Sequence, residues 1–312
     1  MELNQLRHFL AVLRAGSINR AAAELNIRQP SLSQSIKALE RSVGAELLLR
    51  TGGGVRPTRI GETFATYAQV ITREADKATA EVAAMRGLGA GCISLAIHSA
   101  LARYLAPTAL SDFLGRSTGV RVDIAVFSFS APEVVQRLRR AEWDIVVTLV
   151  GDPADYPADI VKEALRPIES RVYCGADHPL AGKEAVSVAD LARYEWIVTN
   201  ISLTERLLAK AFEQVGCAPL IRIRTDSMEL IPEFAAVYPF LCILPIETAA
   251  HDVAEGRLVE VRQNSIRSAS DIAILSSALV ARTAATRTLI GAVAARTALT
   301  PLRGVARSQG SR

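Results

Sequence analysis

Apolar residues in the first ninety positions recur at three- and four-residue intervals, the spacing of amphipathic helices. Leu3, Leu6, Phe9, Leu10 and Leu13 put one apolar face on a first helix, and Gly16 ends it with a left-handed cap. Ser17 caps a second helix, Ile18 to Leu25, whose run Ala21-Ala22-Ala23 lets another helix approach closely. After the short turn Asn26-Ile27-Arg28, Pro30 suits the first turn of a third helix, where its missing N–H costs nothing. Leu32, Ile36, Leu39 and Val43 then share one stripe, which forces Pro30, Ser33, Gln34, Lys37 and Arg41 to the opposite, solvent-facing side. Leu47-Leu48-Leu49 and Val55-Arg56-Pro57, separated by Thr51-Gly52-Gly53-Gly54, predict a small hairpin wing flanked by Arg50 and Arg56.

Thr58 caps a long fourth helix that runs to Met85 or Arg86. Phe64, Ala68, Ile71, Ala75, Ala78, Val82 and Met85 alternate spacings of four and three, a heptad seam. Such a seam predicts pairing with a second copy of the chain in a two-fold dimer; burial against the chain's own C-terminal part is the alternative.

Beyond Gly87, Gly89 and Gly91 the pattern changes to short apolar runs alternating with amphipathic segments, which predicts α/β architecture. Strands are expected at Cys92–Ile97, Val120–Phe127, Asp144–Leu149, Val161–Pro167, Glu169–Cys174, Trp196–Thr199, Ile221–Thr225, Leu241–Leu244, Leu258–Val261 and Asp271–Leu275. Helices are expected near Leu101–Gly115, Pro132–Ala141, Leu203–Val215, Met228–Tyr238, Glu247–Glu255 and Ala284–Ala298, and residues 301–312 read as a disordered tail. Ligands of open α/β sheets bind beyond the C-terminal ends of strands, where helix N-termini offer free N–H groups. Four places match: His98-Ser99-Ala100, Phe127-Ser128-Phe129-Ser130, Thr199-Asn200 with Ser202, and Asp226-Ser227. Short hydroxyl residues there suit a carboxylate, so a small organic acid is the leading ligand class; the plainer reading of each serine is a helix cap. Phe127 and Phe129 would supply an apolar wall.

Composition sets the outer limits. At 312 residues, half of them apolar, the chain is long enough for two or three folding units with real cores. No uninterrupted apolar run is long enough for a membrane span, and the first residues lack a basic leader, so a cytoplasmic protein without a membrane partner is expected. Charge is unevenly shared: residues 1–90 hold 12 Lys and Arg against 8 Asp and Glu, whereas residues 91–312 hold 24 of each. The whole excess of +4 therefore sits on the N-terminal unit, as polyanion binding requires; a merely solvated basic face is the alternative. Two helices with a tight turn, the second exposing a polar and basic face, make a helix-turn-helix over about Ile18–Lys37. Its candidate DNA contacts are Arg28, Gln29, Pro30, Ser31, Ser33, Gln34 and Lys37, with Arg50, Arg56 and Thr58 from the wing and its exit. Cys92, Cys174, Cys217 and Cys242 are dispersed and read as reduced packing residues, with a redox pair as the sharper alternative. The four histidines are equally scattered, so neither a metal site nor a cofactor is expected.

Six stretches now point the same way: Leu3-Asn4-Gln5-Leu6-Arg7-His8-Phe9, Gly16-Ser17-Ile18-Asn19-Arg20-Ala21-Ala22, Gln29-Pro30-Ser31-Leu32-Ser33, Ile36-Lys37-Ala38-Leu39-Glu40, Gly44-Ala45-Glu46-Leu47-Leu48-Leu49-Arg50 and Thr58-Arg59-Ile60-Gly61. In this order and register they resemble the DNA-binding domain and linker helix of the LysR-type transcriptional regulators. Arg28 stands where the family usually has a capping Ser, a loss worth about 1 kcal/mol of helix stability. Gln34 stands where it often has Arg, which changes the operator sequence expected. The resemblance implies a winged helix-turn-helix over 1–58, a linker and dimerisation helix over 59–90, and an effector-binding domain over 91–300. That domain would have two periplasmic-binding-protein-like subdomains, 92–163 with 267–300 and 164–266. Asp177-His178-Pro179-Leu180-Ala181 matches a recurrent family segment and reads as a surface turn. Double-stranded operator DNA, a small effector, RNA polymerase and further copies of the chain, as a dimer or tetramer, are the partners implied.

The rival is an α/β enzyme with an N-terminal dimerisation module. No nucleophile elbow, phosphate loop or dinucleotide fingerprint is present, and no residue is assigned a catalytic role. A solute-binding protein independent of DNA would leave the basic N-terminus without a use.

Overall fold

A computed structural model describes residues 1–51, 54–85, 91–128, 130–151, 156–199, 202–278 and 282–299. The expectations for Gly52-Gly53, the three glycines at 87, 89 and 91 except Gly91 itself, Phe129, Asn200 and residues 301–312 lie outside them, as do those for the side chains of Arg50, Met85 and Ser202.

Three helices form the N-terminal unit: α1 (Leu3–Ala15), α2 (Ile18–Glu24) and α3 (Gln29–Val43). Gly16 closes α1 at φ 61°, donating its N–H to the Val12 carbonyl, and Ser17 Oγ caps α2 by accepting from Arg20 N. Leu6, Phe9, Val12, Ile18, Ala21, Ala22, Leu32, Ile36 and Leu39 bury one shared core, so the apolar stripe of α3 faces inward as its spacing requires. The wing pairs β1 (Leu48–Thr51) with β2 (Gly54–Pro57), antiparallel, Arg50 opposite Val55. It is pinned to the α1–α2 turn by a 2.9 Å bond from Val55 N to the Gly16 carbonyl. Gly54 (φ 132°) allows that approach, because a Cβ there would lie 2.4 Å from the Gly16 oxygen.

Helix α4 (Arg59–Met85) leaves the wing as a single 27-residue rod. Its seam differs from the predicted one. Phe64 and Ala68 turn into the N-terminal core, Phe64 edge-on to Phe9 with ring centroids 5.7 Å apart. The first turns of α4 complete the domain that precedes them, which removes these two residues from any pairing surface. Among the described side chains, Ile60, Tyr67, Ile71 and Val82 are the large apolar ones left exposed along the rod.

The remaining chain forms one mixed sheet in the order β4-β3-β5-β11-β6-β9-β7-β8, with β10 also on β6. In the first subdomain β3 (Cys92–His98) lies parallel between β4 (Arg121–Phe127) and β5 (Ile145–Val150). Helices α5 (Ser99–Arg116) and α11 (Ala284–Leu299) cover one face, burying Leu95, Ile97, Phe113, Ile274 and Leu289. Helix α6 (Ala131–Arg139) covers the other, over Val134, Leu138, Trp143 and Val146. The second subdomain builds on β7 (Glu195–Thr199), β8 (Leu220–Thr225), β9 (Phe240–Pro245) and β10 (Leu258–Glu260). Helices α7 (Val188–Leu191) and α8 (Ser202–Glu213) lie on one side with Trp196 and Phe212, and α9 (Leu230–Val237) and α10 (Ile246–Ala254) on the other with Ile231 and Ala249.

Two strands pass between the subdomains. Strand β6 (Ile160–Gly175) is continuous where two separate strands were expected, and pairs antiparallel with β11 (Ser268–Ser277) along 160–170. Pro167 does not interrupt it: it sits opposite Asp271 of β11, and β9 joins β6 only from Ser170 on, so β6 is paired with β9 only beyond the proline.

Candidate nucleic-acid interface and effector site

Arg28, Gln29, Pro30, Ser31, Gln34 and Lys37 are exposed along the first half of α3, and Ser33 is half-buried among them. Gln29 Nε2 donates to Ser33 Oγ at 2.8 Å, one helical turn on. This bond fixes the Gln29 amide while leaving its oxygen, its second N–H and the Ser33 hydroxyl hydrogen for a base edge. Two contacts hold α3 from behind. His8 Nδ1 lies 2.7 Å from Ser35 Oγ, tying α1 to α3, and Glu40 Oε1 accepts from the backbone N–H groups of Leu47 (2.9 Å) and Leu48 (3.2 Å). Glu40 thus binds α3 to the wing, a role the sequence signals only through an acid eight residues before β1. Arg56 is exposed on the wing. Thr58 is engaged in the chain itself, donating to the Glu46 carbonyl at 2.8 Å and accepting from Gly61 N at 2.9 Å as the cap of α4.

The proposed effector residues separate into two groups. Ser99, the first residue of α5, and Ser128, just beyond β4, have hydroxyls 2.7 Å apart, and Ser128 Oγ donates to the Asp226 carbonyl across the subdomains, also at 2.7 Å. A carbonyl only accepts, so the single Ser128 proton goes to Asp226 and Ser99 must be the donor to Ser128. Close by, Ala100 donates its N–H to His98 Nδ1 at 3.2 Å and accepts from Thr248 Oγ1 of α10 at 2.7 Å, a second link between subdomains. Ser227 N donates to Thr225 Oγ1 at 3.0 Å, and Thr199 Oγ1 meets Thr204 Oγ1 at 3.2 Å.

The other group serves the core or caps. Phe127 is buried, stacked on Trp143 at 5.3 Å, so its ring does not form the apolar wall expected of it. His98 packs edge-on to Phe127, and burial pushes its pKa down to about 4, leaving it neutral at pH 7. Ser130 closes a capping box with Glu133, both its N–H and its hydroxyl donating to Glu133 Oε2. His178 is buried, its Nδ1 accepting from Leu180 N at 3.0 Å within the turn expected there.

Among the described residues no cluster of His, Cys, Asp and Glu is arranged to hold a metal ion, and no helix is long and apolar enough to cross a membrane. Cys174 and Cys242 sit on adjacent strands but in cores on opposite faces of the sheet, so their thiols point apart.

Residues 3–62 match the family model described as a bacterial regulatory helix-turn-helix protein, lysR family, and residues 86–298 match that of the LysR substrate binding domain. An SDS degradation transcriptional activation protein from Pseudomonas sp. (strain ATCC 19151) is 30% identical over 261 residues, 82% of this chain and 83% of that one. Among solved structures, ArgP from Mycobacterium tuberculosis superposes with a TM-score of 0.69 at 20% identity, covering 93% of this chain and 95% of that one. Full-length CbnR complexed with its target DNA superposes with a TM-score of 0.64 at 20% identity, covering 94% and 99%.

Proposed function

Because the chain belongs to the LysR family of DNA-binding transcriptional regulators, joining a helix-turn-helix to a substrate-binding effector domain, we propose that α3 reads operator DNA in the major groove under the control of a small organic acid held between the subdomains. The observation that carries the first half is the outward face of α3, with Gln29 already oriented by Ser33. A glutamine amide offers the donor and acceptor pair that adenine requires, serine bonds either base type, and Lys37 suits a phosphate or guanine. Arg28, Pro30, Ser31 and Gln34 complete the reading surface, and Arg50 and Arg56 of the wing hold backbone or minor groove. Thr58 acts by placing the first turn of α4 rather than by touching bases.

The organic-acid reading rests on Ser99 and Ser128. A carboxylate entering beside them accepts both hydroxyl protons and replaces the Asp226 carbonyl as the acceptor, so binding exchanges a bond between subdomains for bonds to the ligand. The effector therefore has unequal affinity for the closed and open arrangements, the condition for shifting DNA contacts at all. Thr199, Asp226 and Ser227 line the facing side in this reading, and Asn200 and Ser202 stay ligand candidates on their sequence pattern alone. In this reading the chain divides into a DNA-binding unit of 1–58, a linker of 59–90 whose first turns pack into that unit through Phe64 and Ala68, and an effector domain of 91–300. Ile60, Tyr67, Ile71 and Val82 of α4 pair two copies as a dimer, placing two reading helices on two half-sites. Pairing of dimers into tetramers and contact with RNA polymerase belong to the same reading by family membership.

Selection of duplexes from a randomised pool, followed by titration of the enriched and scrambled sequences at several salt concentrations, tests the DNA half. Enrichment of one sequence whose advantage survives added salt is expected; equal binding of both that vanishes together with salt would reject it.

A further inference from the structure

Asp144 is a carboxylate with 4% of its side chain exposed, on the turn that leads into β5. Its Oδ2 accepts from Ser94 N at 2.8 Å, while its own N–H donates to the Ser94 carbonyl at 2.9 Å. These reciprocal bonds hold the carboxylate rigidly between the starts of β3 and β5. Among the described residues its charge is met by no cation of the effector domain; it is met by the linker helix. Lys77 Nζ pairs directly with Oδ1, and Arg73 Nη2 lies 3.7 Å from Oδ2. Lys77 is itself 14% exposed and steadied by Glu74 Oε1 at 2.8 Å. Two turns before Lys77, Val70 of α4 buries itself against Ala141 of the first subdomain.

Val70, Arg73 and Lys77 fall on one stripe of α4, roughly 100° around the helix from the exposed residues Ile60, Tyr67, Ile71 and Val82. The contact with Asp144 and pairing with a second copy therefore use different faces and coexist. Strand β3 then runs from Ser94 at this contact to His98, with Ser99 immediately beyond it, a span of about 16 Å along one central strand.

We propose that Asp144 is the anchor by which the effector domain carries the linker helix, with Arg73 and Lys77 as positioning residues, so that α4 and the first subdomain move as one body. Motion of the second subdomain against the first is then referred to the DNA-binding unit through a fixed lever. This anchor does not depend on which ligand the subdomains hold, and its test needs neither effector nor operator.

Double electron–electron resonance on the full chain reads it directly. Spin labels are placed at Thr79→Cys on α4 and Gln136→Cys on α6, both exposed positions, in a Cys92→Ser and Cys217→Ser background that removes the two exposed native thiols. Dilution with unlabelled chain isolates distances within one copy. The parent should give one narrow distance population. Asp144→Asn, whose amide oxygen can still accept from Ser94, and Lys77→Gln should each broaden it at least twofold, and Lys77→Arg, which keeps the charge, should restore the narrow population. Should Asp144→Asn fail to fold, Lys77→Gln and Lys77→Arg carry the test alone. An unchanged narrow population in Lys77→Gln, or a Lys77→Arg population as broad as that of Lys77→Gln, would overturn the anchor.

Discussion

The Ser128 hydroxyl donates a 2.7 Å hydrogen bond to the carbonyl of Asp226, 98 residues away and in the other subdomain. Ser99 stands behind it as the donor to Ser128 Oγ, so two hydroxyl protons are committed to a closure that a ligand would have to replace.

Removing that closure should be visible without any ligand. Ser128→Ala is expected to cost about 1 kcal/mol, lowering the unfolding midpoint of the effector domain by roughly 2–4 °C. In a thermal-shift screen of small organic acids, an acid that stabilises the parent should stabilise Ser128→Ala distinctly less. Equal shifts for parent and variant across every acid that binds would place the ligand elsewhere.

Acidification probes His98. An unfolded histidine titrates near pH 6.5, whereas burial holds folded His98 down to about 4. Between these values the unfolded chain takes up a proton that the folded chain excludes. The stability from keeping this ring neutral is therefore complete above pH 6.5 and is lost as pH falls through 4, up to about 3 kcal/mol. His98→Gln lacks this dependence, so the stability difference between parent and variant should shrink steadily from pH 7 to pH 4. A difference constant across that range would show that His98 does not titrate as its burial requires.

Thiol chemistry should follow burial. Cys92 and Cys217 are exposed, whereas Cys174 and Cys242 are buried, with burial pushing the Cys174 pKa up to about 11 and that of Cys242 well above the ordinary thiol range. Native alkylation should modify Cys92 and Cys217 and spare the other two. Mild oxidation should yield no bond between Cys174 and Cys242, because neighbouring strands present them to opposite faces. Mass spectrometry finding that bond in the native chain would contradict the strand register.

Local pattern made the N-terminal unit legible: Leu32, Ile36 and Leu39 determine which side of α3 is buried, and so which residues face out. The same logic overreached on α4, where a regular heptad hid the fact that Phe64 packs on Phe9 while Tyr67 lies outside the seam and is exposed. Pro167 looked like a break because its effect depends on which strand edge is paired, a property of the sheet rather than of the segment. Phe127 beside Ser128 looked like ligand lining, yet Trp143, which claims it, comes from the turn between α6 and β5. The contacts joining units, Ser128 to Asp226 and Lys77 to Asp144, link residues far apart in the chain and leave no periodic trace.

Glu40 offers a test of how the wing is positioned. Glu40→Ala deprives two partly buried N–H groups, those of Leu47 and Leu48, of their acceptor. A loss of about 1–3 kcal/mol in the stability of the N-terminal unit is expected from denaturant titration. DNA affinity should fall by a similar factor on every sequence, since the wing holds backbone; a loss confined to the selected operator would instead make Glu40 part of base reading.

The central claim, that α3 reads bases, is tested most directly by comparing Gln29→Ala with Arg56→Ala on the selected duplex and on its scrambled counterpart over a range of salt concentrations. Gln29→Ala should lose about 1–3 kcal/mol on the selected duplex alone, whereas Arg56→Ala should weaken both and lower the salt slope by about one. Equal losses on both duplexes for Gln29→Ala would contradict the account.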